Sequence, residues 1–152
     1  MYPTDPIVAD IRKFNRFYTS ILGLLDKHIL TSKYSFTEAR VILEIGFMGQ
    51  CIANSLVEKL DIDRSYMSRI IAKLGKEGLI RKENSESDSR TSLISLTDKG
   101  LEVFSQLDQK SDEQIHRLFK NLSEKDIREI HASMVLIQQK LEISEGAGND
   151  TF

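Results

Sequence analysis

Apolar residues return at intervals of three and four over most of this chain, and one short stretch breaks the rhythm. From Ile7 to about Leu30, the residues Ile7, Ile11, Phe14, Phe17 or Tyr18, Ile21, Leu22, Leu25 and Ile29 fall at helical spacing. That stripe is wider than one face packing on its own domain would use. A second copy of the chain, or burial inside a monomer, must cover the rest. Thr37 and Glu38 open a second helix that reaches about Ile45, with Ala39, Val41, Ile42 and Ile45 apolar and Gly46 and Gly49 flanking a turn. Ile52 to Leu60 is a third helix, with Ile52, Leu56, Val57 and Leu60 inward. Asp61-Ile62-Asp63 forms a turn after it.

The next helix starts at Asp63, whose carboxylate can accept from the free N–H groups of the first turn. Met67, Ile70, Ile71 and Leu74 mark its apolar face. Its other face carries Arg64, Ser65, Ser68, Arg69, Lys73 and Lys76, and no acid lies between Arg64 and Lys76. Gly75 and Gly78 surround its end. The rhythm then changes. Leu79-Ile80-Arg81-Lys82 and Ser92-Leu93-Ile94-Ser95-Leu96 read as two strands, and the polar stretch Glu83 to Thr91 between them reads as an exposed hairpin tip. In that tip Asp88 stands two residues before Arg90. The acid can orient the guanidinium for a narrow minor groove, or the two form a local surface ion pair worth about 0–1 kcal/mol.

Thr97 is placed to cap a further helix, with Gly100 in its first turn, running to about Leu122 through Leu101, Phe104, Leu107, Ile115, Leu118 and Phe119. Ser123 caps the last helix, whose stripe is Ile127, Ile130, Met134, Ile137 and Leu141, and Asp126 completes an approximate capping box. Residues 1–6 hold both prolines and are expected to form a loose arm. The tail from Ser144, with Gly146 and Gly148, is expected to be disordered. No internal repeat or low-complexity tract is visible.

The run DSRTSLISLTDKG resembles the wing signature of the MarR family of bacterial transcription regulators, D-x-R-x-x-x-(aliphatic)-x-L-T-x-x-G. Asp88, Arg90, Ile94, Leu96, Thr97 and Gly100 fill its six positions. Three departures accompany it. Glu86 and Ser87 stand where the family often has basic residues, Asp61 where it has glycine, and Val57 where it has alanine. IRKFNRFYTSILGLL, with Tyr34 to Arg40 and Tyr66 to Ile70, is also similar to the MarR-type half of proteins fused to a GNAT acetyltransferase. In 152 residues there is no room for that enzyme, so acetyl transfer is not expected.

The resemblance implies a mainly α fold with a small β-hairpin wing: a winged helix-turn-helix with N- and C-terminal dimerisation helices. It places the DNA-binding lobe at about 37–97 and the dimerisation helices at about 7–30 and 98–142, in a single domain spanning 1–152. Two copies would then set two recognition helices about one DNA turn apart, roughly 34–36 Å. Arg64, Ser65, Tyr66, Ser68, Arg69 and Lys73 are expected toward the major groove, with Arg90 in the minor groove, held by Asp88. The family also implies a ligand-responsive repressor with a small aromatic or phenolic effector, in a region where Tyr18, His28, Tyr34 and Arg40 fall.

Composition narrows the classes. The chain is 40% hydrophobic and 29% charged, as a globular protein is, and its net charge is −2. Basic groups concentrate locally: residues 61–97 hold seven Lys or Arg against six acids, and residues 98–152 hold seven against eleven. DNA binding depends on that local field. One cysteine, Cys51, excludes an intrachain disulfide framework, which with no signal peptide or apolar span predicts a cytoplasmic protein off the membrane. There is no Walker loop, G-x-S-x-G or H-E-x-x-H, so no enzyme and no cofactor are expected. His28, His116 and His131 are too far apart in sequence to make a local metal pair. Cys51 reads as a small buried residue at the entrance to the helix-turn-helix, and a redox role is the lesser reading. The alternative to a DNA reader is an interaction module whose basic face binds an acidic partner protein.

Overall fold

The computed structural model describes residues 5–29, 33–84 and 91–148, with side chains at 5–23, 33–84 and 91–143. Helix α1 is Pro6–Ile29 and α2 is Phe36–Met48. Strand β1, Gln50–Cys51, leads into α3, Ala53–Leu60, and α4, Arg64–Lys76. Strands β2, Ile80–Asn84, and β3, Ser92–Leu96, precede α5, Asp98–Leu118, and α6, Glu124–Gly148. The described residues divide into two compact units after Gln114.

The first unit holds the core. Val41, Ile42 and Ile45 of α2, Leu56 of α3, and Met67, Ile70, Ile71 and Leu74 of α4 are buried together with Leu79, Ile80, Ile94 and Leu107. These are the apolar stripes read from the sequence, closed on one another and on one face of a small sheet. Its order is β1-β3-β2, antiparallel throughout, with Lys82 opposite Ile94 and Cys51 on the far side of Ile94.

Several boundaries move. Helix α2 begins at Phe36, one residue before the expected Thr37, and its N-cap is Ser35, whose hydroxyl accepts from the Glu38 N–H at 3.1 Å. The helix continues to Met48, through Gly46, and ends at Gly49 with φ 76°. Gly46 is therefore interior. A Cβ there would collide with the ring of Phe104 on α5, which packs edge-on to Phe47. Ile52 is the residue before α3, not its first turn. Helix α5 stops at Leu118, short of Leu122. Ser123 accepts from the Asp126 N–H as expected, but α6 extends to Gly148, past the expected end at Ser144. Once nucleated, a helix adds residues cheaply, and Ser144 and Glu145 do not break it. The two-residue β1 has no periodicity to betray it in sequence.

The turn between α3 and α4 is held as the composition suggests. Asp61 takes φ 50° and ψ 51°, the left-handed region, and its N–H returns to Val57. Thr97 links the end of the sheet to α5. Its hydroxyl donates to the Gly78 carbonyl at 2.6 Å and accepts from the Gly100 N–H at 3.1 Å, while its N–H donates to the Leu79 carbonyl. Gly100 lies against that same carbonyl, where a Cβ would overlap it.

Candidate nucleic-acid interface

Helix α4 is built to present one side. Asp63 caps it, accepting from the Tyr66 N–H at 3.2 Å. Met67, Ile70, Ile71 and Leu74 are buried, and Arg64, Ser65, Tyr66, Ser68, Arg69, Lys73 and Lys76 are all exposed. Burial of one stripe thus forces the cations and hydroxyls outward as a set. No carboxylate of α4 itself interrupts the face. The Arg69 guanidinium lies 5.6 Å from the centre of the Tyr66 ring, a cation–π contact that orders an exposed side chain one turn on.

The start of α4 is tied to α3. Arg64 donates to the Asn54 side-chain oxygen at 3.1 Å, and the Asn54 amide donates to Glu58 at 3.2 Å. Ser68, Asn54 and the wing residues Lys82, Thr91 and Ser92 border a hollow of about 380 Å³. Strand β2 turns Arg81, Lys82, Glu83 and Asn84 outward. Asn54 and Lys82 are polar groups of this surface that the sequence reading did not single out. Asn54 sits ten residues from Arg64, and no local pattern links the two.

Lys73 is set apart from the other cations. Its ammonium contacts both carboxylate oxygens of Glu38, at 2.9 and 3.1 Å. The hydrogen bond to Glu38, and then the charge of Glu38, hold the Lys73 ammonium above the ordinary lysine range. Lys73, expected toward DNA, is exposed on the α4 face and is also paired with Glu38 of α2. Asp88 and Arg90 lie outside the described residues, so the wing-tip pair has no geometry to report.

Cys51 is buried on β1, and burial pushes its thiol up. A protonated, enclosed thiol is a poor nucleophile. Among the described residues no group of three or more His, Cys, Asp or Glu side chains gathers as metal ligands, and no helix is long and apolar enough to cross a membrane.

One comparison with known proteins falls on this same region. A model of the MarR family matches residues 35–92, the span from the start of α2 to the start of β3. The chain is 21% identical to YfiV of Bacillus subtilis, an uncharacterised helix-turn-helix transcriptional regulator, over 108 residues that cover 71% of this chain and 68% of YfiV. Among solved structures it superposes on a mutant MarR from E. coli complexed with operator DNA, with a TM-score of 0.69 at 17% identity, covering 90% of this chain and 99% of that one. A putative MarR family regulator from Listeria monocytogenes, complexed with a 26mer DNA, gives 0.69 at 19% identity over 86% and 87% of the two chains. At these identities the structural likeness establishes the winged-helix fold.

Proposed function

We propose that this chain is a MarR-family transcription regulator that reads duplex DNA sequence as a homodimer; the family model that matches its winged-helix region, residues 35–92, supports the reading. The observation that carries the reading is the exposed face of α4. Arg64, Ser65, Tyr66, Ser68 and Arg69 project from a helix whose other side is locked in the core. A helix presented in this way enters a major groove, where Arg pairs with guanine edges and hydroxyls reach bases or phosphates. Arg90 reaches the neighbouring minor groove, oriented by Asp88.

The DNA-binding lobe spans about 37–97, and helices α1, α5 and α6 make the dimer. The protein is a repressor released by a small aromatic effector that changes the spacing of the two α4 helices. It carries out no chemistry of its own and acts in the cytoplasm, with no resident cofactor. Support for a binding role comes from the face of α4 and from relatives that are regulators.

The test is selection of random duplex DNA by the purified protein, followed by titration of the winner at two salt concentrations. A near-palindromic site with half-sites about one turn apart, roughly 34–36 Å, is expected. Arg69→Ala should then cost about 1–3 kcal/mol if Arg69 reads a base, and should mainly change the salt slope if it touches phosphate. Weak binding without a motif, abolished by moderate salt, would move the acidic-partner module to the front.

A further inference from the structure

Glu38 is 8% exposed, in the first turn of α2, and it stands three residues after the Ser35 cap. At that spacing a glutamate ordinarily reaches back to its own cap residue. Here both carboxylate oxygens instead meet Lys73, 35 residues away on α4. Lys73 belongs to a surface stripe, Tyr66, Arg69 and Lys73, spaced by three and four. Together with Glu38 and Ile70 these side chains line a shallow hollow of about 220 Å³. The Lys73 side chain is half exposed, so a group docking on α4 would have to compete with the carboxylate for its ammonium.

The two anions open to Lys73 are unequal. A pair between a solvated lysine and a DNA phosphate gains little beyond counterion release. Leaving a nearly buried carboxylate without its cation is far more costly. On that balance the carboxylate holds the ammonium more strongly than a phosphate would.

We propose that Glu38 is a positioning residue for sequence discrimination: by holding Lys73 on α2 it withholds one non-selective phosphate contact and fixes the rotation of α4, leaving the reading to Arg64, Ser65, Tyr66, Ser68 and Arg69. This rests on the DNA-reading function proposed above. A phosphate contact strengthens binding to every sequence alike, whereas a base contact separates one sequence from another. A clamp that removes the first kind and aims the second raises the ratio between operator and random DNA.

Salt titrations on operator and on random duplex test it, with wild type, Glu38→Gln, Lys73→Met and the double variant. Each phosphate contact contributes about 0.9 to the slope of log K against log salt. Glu38→Gln, which keeps the shape and drops the charge, should steepen the slope by about 0.9 and lower the operator-to-random ratio. Lys73→Met should leave the slope where wild type has it, and so should the double variant, which carries no buried unpaired charge. A slope that falls by about 0.9 in Lys73→Met would mean that Lys73 already holds a phosphate in wild type, and would overturn the proposal. A lowered melting temperature in Glu38→Gln with slope and ratio unchanged would make Glu38 merely structural, and would also overturn it. If wild type itself shows no operator preference, the regulator reading fails and the discrimination role fails with it. If wild type discriminates and Glu38→Gln discriminates equally, only the role of Glu38 is lost.

Discussion

Asp61 is the one described non-glycine residue with positive φ, and it closes α3 in the turn before α4. Left-handed backbone crowds Cβ against the following carbonyl, and aspartate tolerates this better than most residues. Asp61→Gly should therefore raise stability by a few tenths to about 1 kcal/mol, and Asp61→Val should lower it by about 1–2 kcal/mol, read from urea unfolding midpoints. The same residue was legible in the sequence as an aspartate between two apolar helical runs. Cys51 was legible only in part. Its burial follows from pairing opposite Ile94 on β3, and that burial, by raising the thiol above its ordinary range, argues against an oxidant sensor. Lys73 shows the reverse case. Its charge was plain, but its partner lies 35 residues away, and a sequence pattern places only neighbours within a turn or two.

At the scale of elements, the signature L-T-x-x-G has a structural meaning distinct from DNA contact. Leu96 is buried, Thr97 joins the Gly78 carbonyl to the first turn of α5, and Gly100 lets that turn close on the Leu79 carbonyl. Backbone cannot step aside as a flexible side chain can. Gly100→Ala should cost about 1–3 kcal/mol through overpacking, seen as a lowered melting temperature. The opposed outcome, a melting temperature equal to wild type, would mean that α5 can shift away from the Leu79 carbonyl freely. The α4 boundaries were readable because Asp63, the apolar stripe and the basic residues agree. The start of α2 was not, because Ser35 and Thr37 both suit a cap and only the observed bond to the Glu38 N–H chooses between them. Strand β1 was missed because two residues carry no period; its pairing with Ser95 and Ile94 makes it a strand.

For the whole molecule, α1 is the clearest sign of what the monomer leaves undone. Ile7, Ile11, Phe14 and Phe17 are all about half exposed or more, from 49% at Phe14 to 68% at Ile7, and Phe14 stacks on Tyr18 at 5.6 Å. In the second unit Leu136 and Leu141 of α6 are likewise open, at 54% and 60%. Apolar surface on this scale calls for a partner. Sedimentation should give twice the monomer mass, and Phe14→Lys with Phe17→Lys should shift the protein toward monomer and weaken operator binding. A dimer indifferent to both changes would place the interface elsewhere.

Local periodicity and capping residues were enough to mark a mainly helical chain with one short hairpin and to pick out the exposed face of α4, while the winged helix came from the resemblance carried by the run from Asp88 to Gly100. Those properties depend on residues within a few positions of one another, where helix geometry and turn chemistry act directly. The edge strand β1, the contact of Gly100 with Leu79, the Arg64–Asn54 bond and the Glu38–Lys73 pair were decided only when distant segments met. Each depends on which groups the closing core brings within hydrogen-bond or van der Waals reach, and packing selects those partners from many that the sequence allows.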